Sequence, residues 1–113
     1  MNDQPTNKMK IAVALRTGRT AIGWNQQEFA RRLNVATSTI ARIETLETTA
    51  SAAVVMDALD LLRKAGVTID LMSEAGLGFH VAPAALKAAE QRLLEEQSHR
   101  PERKKSKTEP KND

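Results

Sequence analysis

The sequence predicts a mainly α fold: four short helices, then a β-hairpin, then one more helix. Three observations carry that expectation. Apolar residues recur at helical spacing through most of the first 66 positions, the period switches to strict alternation between Val67 and Val81, and a helical stripe resumes after Pro83. At 113 residues the chain is long enough for one small domain with an appendage, not for two sizeable cores.

The central stretch is Gln26 to Glu44, QQEFARRLNVATSTIARIE. Phe29, Ala30 and Leu33 fit one short helix and Ile40 and Ile43 fit another, leaving only Asn34, Val35 and Ala36 for the turn. Helices joined so closely must cross steeply. Asn25 can cap the first with its side-chain oxygen, and Thr37 or Ser38 can cap the second. Ala30 is small enough for a close helix crossing. Asn34 stands where the chain must leave the first helix, a place that often needs φ > 0 and that Asn tolerates best after Gly.

Upstream, Ile11, Ala14, Leu15 and Ile22 form the stripe of a first helix from about Lys8 to Ile22, ended by Gly23, with Trp24 folding back as an apolar plug. Downstream, Thr45 to Ala50 is a polar connection whose Thr48 and Thr49 can either bond a phosphate or merely turn the chain. Ser51 caps a fourth helix, about 52–65, with Val55, Ala58, Leu59 and Leu62 as its stripe and Gly66 as its stop.

Beyond Gly66, Val67, Ile69 and Leu71 alternate with polar residues. Ser73 to Gly76 supplies turn chemistry, and Leu77, Phe79 and Val81 alternate again, which is a hairpin pattern. An isolated hairpin is marginal in water, so it must pack on the helices or pair with a second copy. Pairing between two chains, with these six apolar residues at the dimer contact, is the preferred expectation over pairing within one chain alone. Leu86, Ala89, Leu93 and Leu94 then make the stripe of a last helix to about Gln97 that either completes the dimer or docks a partner. The expected units are a frayed start over 1–7, a helical domain over 8–66, a dimerisation extension over 67–98 and a disordered basic tail over 99–113.

Net charge is only +3, but it is unevenly placed. Residues 1–46 carry seven basic and three acidic side chains, residues 47–98 four and eight, and the tail six and three. A positive front and an acidic back suit a phosphate-facing surface. Cysteine is absent, which excludes a disulfide framework, a thiol nucleophile and a thiolate metal site. His80 and His99 have no neighbouring ligands, so no metal or cofactor is expected. No Gly-rich phosphate loop, carboxylate cleft or nucleophile constellation points to an enzyme. MNDQPTNKMK lacks the apolar run of a signal peptide, and nowhere do about 18 apolar residues run together, so a cytoplasmic protein is expected.

Gln26, Ala30, a turn residue at Asn34, Val35, Ile40, Ile43 and Glu44 agree in register with a known pattern. The stretch resembles the helix-turn-helix of the XRE family, the phage Cro and repressor type, and the similarity runs from Arg19 roughly to Gly66. The family usually has Gly where this chain has Asn34. The resemblance implies a lambda-repressor-like four-helix domain that binds double-stranded DNA, its second motif helix lying in the major groove. Carried over residue by residue, it makes Ala36, Thr37, Ser38, Ala41 and Arg42 base contacts and Asn25 and Gln26 phosphate contacts, with Arg16 added. It also makes Arg19 and Glu44 a structural ion pair. Arg42 is the residue expected to discriminate bases, through two hydrogen bonds to guanine. Arg31 and Arg32 are read as a solvated face.

Two functions fit this reading. One is a homodimeric transcriptional repressor on a palindromic operator; the other is an antitoxin-like module that binds a partner protein through residues 67–113 and regulates its own operon. RNA binding is disfavoured by the lack of exposed aromatics for base stacking.

Overall fold

In the computed structural model, which describes residues 6–99, the elements run α1 (Asn7–Ala21), α2 (Gln26–Leu33), α3 (Thr37–Glu44), α4 (Ala52–Lys64), β1 (Val67–Asp70), β2 (Gly78–Val81) and α5 (Pro83–Ser98). Helix α1 begins a residue before the expected start because Thr6 caps it, its hydroxyl accepting from the Met9 amide at 3.1 Å. Of the expected frayed start over 1–7 and disordered tail over 99–113, residues 1–5 and 100–113 fall outside the described residues, while Thr6 and Asn7 belong to the start of α1 and His99 caps the end of α5.

The core is aliphatic around a single ring. Leu15, Phe29, Ile40, Ile43, Leu62 and Val67 are the largest fully buried side chains, one or two from each of α1, α2, α3, α4 and β1. Close approach of α1 to its neighbours depends on Gly18, where a Cβ would stand 2.8 Å from Leu62 Cδ1 and 3.1 Å from Ile69 Cδ1. Trp24, half-buried after the end of α1, lies 6.2 Å from Phe29 between ring centroids. Its other face is covered by the Arg32 guanidinium, 4.4 Å from the ring centroid, a favourable cation–π placement.

Local signals set the turns. Asn25 Oδ1 accepts from the Glu28 amide at 2.8 Å and starts α2. Asn34 ends it in the left-handed region, φ 60° and ψ 45°, with the Val35 amide bonded back to the Ala30 carbonyl at 3.0 Å. Helix α3 starts differently from expectation: its N-cap is Ala36, so neither Thr37 nor Ser38 caps it. The capping place belongs to the extended residue before the helix, and Thr37 is already helical in the phase that buries Ile40 and Ile43. Ser51 caps α4 through the Val54 amide at 3.2 Å.

After α4 the chain reverses at Gly66, φ +105°, where a Cβ would also meet Ala85 Cβ at 2.7 Å. The Ala82 amide donates to the Gly66 carbonyl at 2.8 Å, so the start of α5 is tied to the same corner. Strands β1 and β2 pair antiparallel within the chain, Val67 opposite Val81 and Ile69 opposite Phe79. Both strands are shorter than the alternation implied. Asp70 accepts from the Met72 amide at 2.9 Å and turns the chain out of the ladder, so Leu71 and Leu77 lie in the connection rather than in the strands. One further expectation needs correcting: Val67 is wholly buried among the helices and has no surface to give to a dimer contact.

Candidate nucleic-acid interface

The phase of α3 follows from its two isoleucines. With Ile40 and Ile43 in the core, Ala36, Thr37, Ser38 and Arg42 are exposed on the opposite side and Ala41 is half-buried beside them. The first turn of α3 has no side-chain cap hydrogen bond; the Thr39 amide donates to the Ala36 carbonyl at 3.0 Å, and the Thr37 and Ser38 amides have no side-chain acceptor among the described residues. This side carries one long cation and otherwise only small side chains, a shape that can approach a groove floor closely.

Behind α3 sits a buried polar cluster. Arg19 Nε lies 2.7 Å from Glu44 Oε2, and an Arg19 Nη donates to Glu44 Oε1 at 2.8 Å, a two-pronged pair joining α1 to α3. The other Nη donates to the Trp24 carbonyl at 3.0 Å. Gln26 Nε2 donates to Glu44 Oε1 at 3.0 Å, which brings α2 into the same cluster. The pair is thus satisfied on both sides, and it fixes the crossing of the two motif helices from within.

These bonds alter what Asn25 and Gln26 have left to offer a phosphate. The Asn25 side-chain oxygen is engaged as a cap on the Glu28 amide and Gln26 Nε2 donates to Glu44, which leaves the Asn25 side-chain NH2, the second Nε2 hydrogen of Gln26 and the Gln26 and Gln27 backbone amides as donors for a phosphate. Arg16 is exposed on α1 and has no ion-pair partner among the described residues. Arg31 and Arg32 both bond Glu28, at 2.6 Å each, and Arg32 also covers Trp24. The Arg31 guanidinium, hydrogen-bonded to Glu28 and helped by Arg32, holds that carboxyl below its usual range.

Arg42 is not isolated. Its side chain is 59% exposed, and its Nε stands 3.7 Å from Glu47 Oε1. Glu47 reaches it because Leu46 adopts φ +68°, in the left-handed region, and the Glu47 amide donates to the Arg42 carbonyl at 2.8 Å. Neither the third member of the buried cluster, Gln26, nor the neighbour Glu47 was visible in the sequence. Nothing marks Leu46 as a left-handed residue, since leucine is a poor choice there.

A helix-turn-helix family model matches residues 15–69. No curated protein matches the chain. Among solved structures the chain is similar to the clp gene regulator ClgR from Corynebacterium glutamicum, at 15% sequence identity over 83% of each chain, with a TM-score of 0.49. The matched span runs from inside α1 through β1 and contains both motif helices, the αL turn at Asn34 and the Arg19–Glu44 pair. Residues 15–69 are therefore a helix-turn-helix domain of the XRE family, a DNA-binding domain of transcription regulators.

Proposed function

We propose that the protein is a homodimeric, sequence-specific transcriptional repressor that reads a palindromic operator with α3. The observation that carries this reading is the phase of α3, which buries Ile40 and Ile43 and leaves Thr37, Ser38 and Arg42 outermost. Arg42 donates to guanine O6 and N7, Thr37 and Ser38 bond base edges, and Ala36 and Ala41 give apolar contact to a thymine methyl. Backbone phosphates are held by the first turn of α2 at Asn25 and Gln26, where amide donors and the helix dipole favour an anion, and by Arg16.

Dimerisation falls to residues 67–98. With Val67 inside its own core, the apolar surface left includes Phe79 with the partly buried Ile69, Leu71, Leu77 and Val81, the exposed Met72, and Leu86, Leu93 and Leu94 of α5. A cytoplasmic location belongs to the same reading.

The test is selection from a random DNA pool by the full chain at near-physiological salt, beside Arg42→Ala. Enrichment of a palindrome, with preference relaxed at one position per half-site by Arg42→Ala, is the expected result. If no sequence is enriched, the reading fails. One observation favours a second reading: α5 leaves Leu86, Leu93 and Leu94 more than half exposed, which suits an antitoxin-like module holding a partner protein. A full chain that is monomeric by light scattering would favour it over the homodimer.

A further inference from the structure

We infer that Glu47 is a positioning residue for Arg42 and a repulsive determinant against nonspecific DNA, which deepens the base-reading role proposed for Arg42 and rests on it. The shortest approach of the Glu47 carboxylate to Arg42 is at Nε, 3.7 Å, beyond hydrogen-bonding distance, and no hydrogen bond engages the terminal guanidinium nitrogens among the described residues. Those two nitrogens form one donor edge able to meet guanine O6 and N7 together. A carboxylate beside Nε attracts the guanidinium without occupying that edge.

The local backbone keeps Glu47 in place. Glu47 and Thr48 both donate backbone amides to the Arg42 carbonyl, at 2.8 and 3.3 Å, while the Thr45 hydroxyl donates to the Ala41 carbonyl at 2.9 Å. The reversal that allows these bonds puts Leu46 at φ +68°, and the residue stays 44% exposed. A leucine is disfavoured there by the clash of its Cβ with the backbone. Glu47 lies three residues beyond the end of α3, on the edge of the reading surface, where a fixed negative charge opposes any phosphate that nears Arg42. The correct base recovers that loss through the guanine bonds; other sequences do not. Selectivity is thereby raised at the expense of general affinity.

Glu47→Gln keeps the side chain's size and removes its charge; Glu47→Asp keeps the charge. Binding to the selected site and to an unrelated duplex is measured across a salt series for wild type, both variants and Arg42→Ala. Glu47→Gln is expected to strengthen unrelated-duplex binding by about 2- to 5-fold, the scale of one exposed charge pair. Its salt slope on that duplex steepens by about one. The ratio of specific to unrelated binding falls correspondingly, Glu47→Asp restores most of it, and the melting temperature is unchanged. If Arg42→Ala relaxes base preference but Glu47→Gln leaves the ratio and the slope at their wild-type values, the role of Glu47 is refuted and the reading by Arg42 stands. If Arg42→Ala leaves preference intact, base reading by Arg42 fails and the role of Glu47 fails with it.

Discussion

Removing the Glu44 carboxylate isolates the strength of the cluster that locks the two motif helices. In Glu44→Ala, Arg19 loses both of its short contacts, Gln26 Nε2 loses its acceptor, and only the bond to the Trp24 carbonyl remains to the guanidinium. The Arg19 side chain is 10% exposed, so its charge is left nearly buried. Breaking such a pair by removing one partner costs about 3–5 kcal/mol. The surviving Trp24 bond argues for the lower end, about 3 kcal/mol. With roughly 4 °C lost per kcal/mol in a domain of this size, the melting temperature should fall by about 12 °C. Thermal and urea unfolding followed by circular dichroism measure this directly. Arg19→Met combined with Glu44→Leu leaves no uncompensated charge and should cost less than either single change, because well-packed apolar replacements are often near neutral. A loss under about 1 kcal/mol for Glu44→Ala, or a double variant as costly as the two singles summed, would refute the reasoning.

Three further outcomes follow from the same geometry. Asn34→Gly should change stability by less than about 0.5 kcal/mol, whereas Asn34→Ala should cost about 1 kcal/mol in chemical denaturation, since glycine and asparagine both tolerate φ 60° and alanine has neither the missing Cβ of the one nor the short polar side chain of the other. Gly23→Ala should destabilise by about 2 kcal/mol, because φ is +79° and the new methyl would overlap the Arg92 guanidinium, which donates to the Ala21 carbonyl at 3.2 Å. Adding Arg92→Ala should recover the steric part and leave the backbone strain, as read from paired melts. The Glu28 carboxyl, depressed chiefly by its hydrogen bond to Arg31, should titrate below an ordinary glutamate in a carbon-detected NMR titration and return toward it in Arg31→Ala. Its folded pKa is the lower one, so its contribution is present above the unfolded glutamate pKa. That contribution disappears as pH falls through the folded value, and Glu28→Gln removes this part of the acid dependence.

The helical half of the fold was legible because its signals are local. Asn25 and Ser51 cap where their side chains reach the next turn, Asn34 and Gly66 turn where a left-handed residue is needed, and Pro83 opens α5. Periodicity placed Ile40 and Ile43 inward and so determined, before any coordinates, which side of α3 is free. The start of α3 was misread because two hydroxyl residues compete for one capping role, and burial of the isoleucines, not capping, sets the helix phase. The strands were read too long because alternation continues through Leu71 and Leu77, whereas the Asp70 side chain ends the ladder by bonding the Met72 amide.

The order of elements, the αL turn between the motif helices and the outward side of α3 are all set by contacts within a few residues, and so can be read from the sequence. The remaining features depend on long-range packing, which the folded chain alone reveals. It turned Val67 inward, away from any partner, joined Gln26 to the Arg19–Glu44 pair, set Arg32 on Trp24 and brought Arg92 of α5 against Gly23. The neighbour of Arg42 was decided there too. A strained Leu46 brings Glu47 to it, and backbone conformation at a leucine is chosen by the fold around it rather than by the residue's own preference.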